Sequence, residues 1–177
     1  VYNLACPASP KDYQSDPINT IKINTIAIIN LLDLCVKYKC KYLFTSTSEI
    51  YGEPLTSPQS EKYRGNVNTT GIRSCYDEGK RIGETLAFEY KRKYKIDIKI
   101  ARIFNTYGPN MRKDDGRVIS NFIWNAINDK PLIIYGTGSQ SRSFCYVDDT
   151  INGLIKLMDS NLNCPVNIGN PNELSIL

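Results

Sequence analysis

KYLFTSTSEIYG, residues 41–52, is the stretch on which the fold turns. Its first half, Lys41 to Thr45, reads as a short strand, and its second half passes at once into hydroxyls, a carboxylate and a glycine. Working outward, runs of the same kind recur on either side. Val1 to Ala5 reads as a strand before it, and Asp97 to Phe104 as one after it; the IKIARIF of the latter is apolar enough for a sheet covered on both faces. Helical patterns separate the three. Beyond the CPASP loop, Asp16 and Pro17 read as the cap and first turn of a helix running to about Lys39, and Tyr76 to Tyr94 as a second helix, preceded by a loop rich in Gly, Pro, Asn and Ser over 51–74. Strands alternating with helices in this way specify an α/β fold with a parallel sheet.

The grammar changes after Asn105. Gly116 to Asn128 reads as a short helix, PLIIYG (131–136) as a strand, Val147 to Met158 as a helix and PVNIGNP (165–171) as another strand-like piece. The expectation is therefore the carboxyl-terminal part of a Rossmann-like doubly wound parallel sheet over residues 1–105, and part of a smaller α+β lobe over 106–177. The phosphate-cradling GxGxxG of a first strand-to-helix turn is not present, nor is the acidic residue that comes after it. Roughly 60–90 residues of such a fold would lie upstream, at ~30 residues per βαβ unit, and the chain by itself is expected to hold a dinucleotide weakly. YGTGSQS, residues 135–141, lacks the GxGxxG spacing and reads as a turn.

Composition narrows the chemistry. Histidine is absent, which removes Ser-His-Asp and Cys-His catalysis and most zinc sites. The six cysteines show no CxxC pairing and read as reduced structural thiols. A net charge of +4 suits an anionic ligand but is too small to argue for nucleic acid, and the densest basic run, KRKYK at 91–95, reads as a solvated helix end. No run of eighteen or more apolar residues is expected to span a membrane, and VYNLACPASP has no signal-peptide character. Because the chain begins without Met on what reads as a buried strand, the compartment stays open between cytoplasm and Golgi lumen.

Two local patterns carry chemistry. Tyr76 and Lys80 stand at i and i+4 on a helix, so a cation lies one turn from a phenol and favours its phenolate. By itself that spacing also fits an ordinary helix surface. TSTSEIYG (45–52) leaves a strand at its carboxyl end, where α/β sheets place their ligands, though a polar turn would read the same way.

Together the two patterns resemble the active site of the extended short-chain dehydrogenases/reductases. The collinear blocks ACPASP, KINTIAIINLLDL, TSTSEIYG, SCYDEGKR, ARIFNTYGP, DDGRVISNF, YGTGSQSRSFCYVDD and VNIGNP are similar to those of the UDP-glucuronate decarboxylases within the NAD-dependent epimerase/dehydratase family. The resemblance implies Tyr76 as proton acceptor, Lys80 as the residue that lowers its pKa and holds the nicotinamide ribose, and Thr47 as a partner of the hydroxyl being oxidised. It further implies Leu4, Cys6, Thr45, Thr106 and Arg117, beside Tyr76 and Lys80, as contacts of NAD. Ser48, Glu49 and Arg142 would serve the decarboxylation, and Lys22, Asn30, Tyr90, Asn105 and Arg142 would bind the UDP-glucuronate substrate. Cys6 stands where Ser is common and Ile23 where Thr is common. The implied reaction converts UDP-glucuronate to UDP-xylose through a 4-keto intermediate with NAD recycled; a 4,6-dehydratase, a 4-epimerase or an inactive truncated chain are the alternatives. Gly79 and Gly83 suit either a four-helix homodimer interface or local helix-to-sheet packing.

Overall fold

The computed structural model describes residues 1–113, 115–134 and 136–177. Its spine is a four-stranded parallel sheet in the order β1 (Tyr2–Asn3), β2 (Tyr42–Thr47), β3 (Ile98–Ile103) and β7 (Val166–Ile168). β2 and β3 run in register from Tyr42 opposite Ile98 to Thr47 opposite Ile103. Side chains alternate across the sheet with period two, so each face of these strands collects its own apolar set. Tyr42, Phe44, Ile98 and Ile100 pack with Ile28, Leu32, Cys35 and Ala87 on one face. Leu43, Ala101 and Ile168 pack with Leu154, Leu157 and Met158 on the other.

The first face is covered by a helical run and a long helix. α1 (Pro10–Ser15) and α2 (Pro17–Lys22) both open on proline, and the Asp16 carboxylate caps α2 by accepting from the Asn19 amide. α2 passes into a π-helical turn, Ile23–Ala27, and then into α3 (Ile28–Tyr38). A π turn adds a residue to the helix and shifts the phase of the turns beyond it, and here it turns Asn24 fully inward. The 22-residue run Pro17–Tyr38 is apolar and long enough to cross a membrane by length and composition, unlike the sequence expectation. Its Ile28, Leu32 and Cys35 are buried against the sheet, as befits a layer helix. α4 (Ser74–Tyr94) lies beside it.

β2 ends two residues later than expected, at Thr47, and a 3-10 turn, Ser48–Tyr51, comes next. Three further differences concern the second half of the chain. α6 (Val147–Asp159) and β7 rejoin the main sheet, where β7 pairs with β3 and α6 covers the second face. The expected division at residue 105 therefore does not separate the layers, because β3 and the second face of the sheet take their cover from beyond it. Residues 131–134 form no strand; Tyr135 of that stretch lies outside the described residues. The remaining elements are α5 (Val118–Ile127) and two small pairings: β4 (Thr106–Tyr107) with β6 (Cys145–Tyr146), parallel, and β5 (Ser141–Ser143) with β8 (Glu173–Ser175), antiparallel.

The two readings of the α4 glycines separate here. A methyl group at Gly83 would stand 2.6 Å from Phe44 Cζ and 2.8 Å from Ile28 Cδ1, and one at Gly79 3.1 Å from Asn24 Cβ. Both glycines thus face inward, and they serve the close approach of α4 to β2 and to the π turn. Gly83→Ala gains helix propensity but forces a methyl into a packed ring, so a net loss of about 1–2 kcal/mol is expected for the full-length protein by denaturant unfolding.

Candidate active site

Parallel sheets of this kind open their ligand crevice beyond the carboxyl ends of the strands. A cavity of about 520 Å³ lies there. The end of β1 contributes Leu4 and Cys6; the end of β2 contributes Thr45 to Glu49; β3 is continued into the cavity by Asn105 and Thr106; α4 presents Tyr76 and Lys80. Arg117 and Arg142 close the side made by the second half of the chain. Twelve positions singled out from the sequence, scattered over nearly the whole chain, therefore share one cavity: Leu4, Cys6, Thr45, Thr47, Ser48, Glu49, Tyr76, Lys80, Asn105, Thr106, Arg117 and Arg142.

The remaining three do not. Lys22 and Asn30 are exposed on α2 and α3, and the Tyr90 hydroxyl donates to Asp33 Oδ1 at 2.6 Å, tying α4 to α3 on their outer side. None of them lines the cavity, so the structure does not bring these three together with the other twelve. The reason is geometric: the α2–α3 run contributes no residue to the cavity lining, and α4 enters it only through Tyr76 and Lys80, near its amino-terminal end.

At the centre, burial raises the Tyr76 phenol well above its ordinary value, and the charges of Cys6 and Glu49 push the same way. A side-chain hydrogen bond with Thr47 and the Arg117 guanidinium oppose them. The Lys80 ammonium donates to the Thr45 carbonyl at 2.8 Å and lies 5.9 Å from the Tyr76 ring centre. Burial lowers its pKa, and a hydrogen bond with Cys6 partly restores it. The net shift of Tyr76 is upward, against the lowering expected from Lys80. Asn24, from the π turn, donates to Cys6 Sγ at 3.0 Å and to the Thr20 carbonyl at 2.9 Å.

Three further residues in or beside this arrangement escaped the reading of the sequence. Tyr13 of α1 is buried and stacks on Tyr76, ring centres 4.9 Å apart and planes within 12°. Arg73, just ahead of α4, pairs with the Glu49 carboxylate. Asp77 comes directly after Tyr76, and its carboxyl is pushed up to about 6, chiefly by desolvation, with Arg73 opposing and Glu49 adding. Only the i, i+4 register of α4 had a sequence signal; Tyr13 is brought in by α1 and Arg73 by the loop that leads into α4.

On the second side, Arg117 Nη2 donates to the Ala8 carbonyl at 2.9 Å, Asn105 Nδ2 to the Ser143 carbonyl at 3.3 Å, and Arg142 Nη1 to the Ser141 carbonyl at 2.7 Å. Thr106 Oγ1 lies 3.0 Å from Thr150 Oγ1. These are preset contacts of cationic and amide groups around an open volume, suited to a polyanionic ligand.

The sequence profile of the NAD dependent epimerase/dehydratase family matches residues 1–169. The chain is 55% identical over 177 residues to UDP-glucuronic acid decarboxylase 3 of Arabidopsis thaliana, covering 100% of this chain and 52% of that protein. It therefore spans about half the length of the curated relative. Among solved structures, UDP-N-acetylglucosamine 4-epimerase from Methanobrevibacter ruminantium superposes with a TM-score of 0.92 at 28% identity, covering 99% of this chain and 56% of that one. A mutant UDP-glucuronic acid 4-epimerase from Bacillus cereus, in complex with UDP-4-deoxy-4-fluoro-glucuronic acid and NAD, does so with a TM-score of 0.86 at 32% identity, covering 99% and 55%.

The raised Asp77 carboxyl gives a stability prediction. A carboxyl whose folded pKa, about 6, exceeds its ordinary 3.8 binds more protons folded than unfolded between those values. Stability then falls as pH rises through that window, and the loss is complete above it. Asp77→Asn in the full-length protein is expected to raise Tm at pH 8 and to lose that advantage by about pH 4, as monitored by calorimetry.

Proposed function

The chain belongs to the NAD dependent epimerase/dehydratase family, and we propose that it forms the catalytic half of an enzyme that decarboxylates UDP-glucuronate to UDP-xylose. The observation that carries the reading is the convergence of Thr47, Ser48, Glu49, Tyr76, Lys80 and Arg142 on one cavity. A buried phenol beside a buried ammonium and a threonine hydroxyl is the equipment for taking a proton from a sugar hydroxyl. The same cavity would take a dinucleotide's nicotinamide end: Lys80 and Tyr76 would hold the ribose, and Leu4, Cys6, Thr45, Thr106 and Arg117, which line the same cavity, would contact the rest. A bound NAD would supply the hydride acceptor, and later the hydride donor, for the sugar's carbon 4.

Every other step belongs to the chain's own residues. Tyr76 takes the proton from the carbon 4 hydroxyl while Thr47 hydrogen-bonds that oxygen. Oxidation leaves a ketone beta to the carboxylate, so the carbon-carbon bond to the carboxylate breaks with its electron pair flowing into the ketone. Arg142 and Ser48 hold the carboxylate and the enolate, and Glu49, oriented by Arg73, manages the proton that restores carbon 5. Tyr76 finally returns its proton to the oxygen at carbon 4. A serine at position 48 supports decarboxylation over dehydration, because expulsion of a carbon 6 hydroxyl calls for a carboxylic acid as donor and a serine hydroxyl is too weak an acid.

A homodimer belongs to the same proposal. The outer face of α2, the π turn and α3 exposes Ile18, Ile26, Leu34 and Tyr38, and the outer side of α4 adds Ile82 and Tyr94. Exposed apolar side chains on these adjacent helices suit a second copy of the chain, related by a two-fold axis. Leu34→Glu is expected to shift the full-length protein toward monomer in analytical ultracentrifugation.

The deciding experiment is release of carbon dioxide from UDP-glucuronate by the full-length enzyme, with no dehydration of dTDP-glucose. Tyr76→Phe is expected to keep the fold and lower turnover by roughly two to four orders of magnitude. Glu49→Ala and Arg142→Ala are expected to lose most carbon dioxide release. Formation of a 4-keto-6-deoxy sugar, or full release by both variants, would overturn the reading.

A further inference from the structure

A buried ion pair beneath the cavity joins both halves of the active centre. Glu84 lies two turns beyond Tyr76 on α4, and with Lys80 it makes an i, i+4, i+8 row along one face of the helix. Each member of that row meets a different residue of the same β2 stretch. Tyr76 hydrogen-bonds Thr47, Lys80 donates to the Thr45 carbonyl, and the Glu84 carboxylate accepts from Ser46 Oγ at 2.6 Å. Glu84 is held from the far side by Arg102 of β3, whose Nε reaches Oε1 at 3.0 Å and whose Nη2 reaches Oε2 at 2.8 Å. The two side chains are only 10% and 11% exposed.

Arg102 carries the connection onward to the other half of the site. Its Nη1 donates to the Tyr51 hydroxyl at 2.9 Å and to the Glu61 carbonyl at 3.0 Å, and its guanidinium lies over the Tyr51 ring. The Tyr51 hydroxyl in turn donates to Asn167 Oδ1 of β7 at 2.8 Å. Tyr51 ends the 3-10 turn that bears Ser48 and Glu49. One bidentate carboxylate-guanidinium pair therefore fixes the helix of Tyr76 and Lys80 on one side and the turn of Ser48 and Glu49 on the other.

We propose that Glu84 and Arg102 are positioning residues for the reaction, which set the distance and register between the proton-transfer pair on α4 and the Ser48–Glu49 turn. The fork of a guanidinium holds a carboxylate in one plane and at one distance, which an apolar contact does not. Displacement of about 1 Å between reacting groups can cost on the order of a hundredfold in rate. A buried pair of this kind is weak support for stability and better support for specificity of geometry. The proposal rests on the roles assigned to Tyr76, Lys80 and Glu49 under the decarboxylase reading.

The test uses the full-length enzyme and three changes. Ser46→Ala removes one hydroxyl from Glu84 and leaves the ion pair. It is expected to lower kcat roughly ten- to hundredfold with KM within about threefold, and to move the acid limb of the pH–rate profile to higher pH, because the phenol loses its aligned Thr47 partner. The other groups facing Tyr76, namely Tyr13, Cys6, Glu49, Arg117 and Lys80, are unchanged in this variant. Glu84→Gln leaves Arg102 buried without its counter-charge and is expected to lower Tm. The paired change Glu84→Leu with Arg102→Met restores an apolar interior; recovery of Tm without recovery of kcat is the expected result. Recovery of kcat together with Tm, or a Ser46→Ala enzyme with unaltered kcat and pH profile, would overturn the proposal. Hydride transfer, read by reduced-nicotinamide absorbance, is measured beside carbon dioxide release. A wild-type enzyme that reduces its cofactor but releases no carbon dioxide sinks the decarboxylase reading, and the positioning role is then decided on hydride transfer alone.

Discussion

The close contact between α4 and β2 is the constraint on which the rest depends. Gly83 lets the helix backbone approach until Phe44 and Ile28 fill the space that a side chain would have taken, and Gly79 does the same toward Asn24 of the π turn. At that separation Lys80 reaches a strand carbonyl, and Glu84 reaches both a strand hydroxyl and the guanidinium of the next strand. A helix held further off would leave a buried ammonium and a buried carboxylate without partners, each of which costs several kcal/mol. Packing and polar satisfaction are therefore one requirement here, met by the same register.

The electrostatics of the cavity derive from that arrangement. Tyr76 and Lys80 are both buried, so water does not screen them, and each departs from its ordinary value in the direction of its neutral form. The groups that pull Tyr76 back toward ionisation, Thr47 and Arg117, come from β2 and from the chain beyond β3. Glu49, whose charge works against ionisation, is engaged by Arg73. The ionisation of Tyr76 is thus set by burial and by residues that come from the end of β1, from the end of β2 and from the chain beyond β3. Tyr13 stacks flat on the phenol.

The two faces of the sheet are asymmetric in use. The face covered by α6 is a plain apolar layer of Leu43, Ala101, Leu154, Leu157, Met158 and Ile168. The face covered by α3 and α4 is apolar near the start of the strands and becomes polar toward their carboxyl ends, where Ser46, Arg102 and Glu84 are buried together. Strand ends of a parallel sheet leave backbone groups unpaired and therefore tolerate polar company. The carboxyl-end polarity of β2 and β3 is continuous with the cavity above it.

Features under local rules were legible in the sequence. The apolar runs of β2 and β3, the Asp16–Pro17 start of a helix and the one-turn spacing of Tyr76 and Lys80 depend on neighbours within a few residues, and they appear where the sequence places them. The TSTSEIYG exit from β2 likewise leads into the cavity. Tertiary structure alone decided the rest. The π turn shifted the phase of α2 and α3, so Asn24 points inward while Lys22 and Asn30 face outward, and a regular helical count cannot register that shift. The return of α6 and β7 to the main sheet, the burial of Gly79 and Gly83 against residues far off in sequence, and the joining of Glu84 to Ser46, Arg102 and Tyr51 are all long-range events. They depend on which faces meet once the sheet is assembled, and no periodicity within a single segment encodes that meeting.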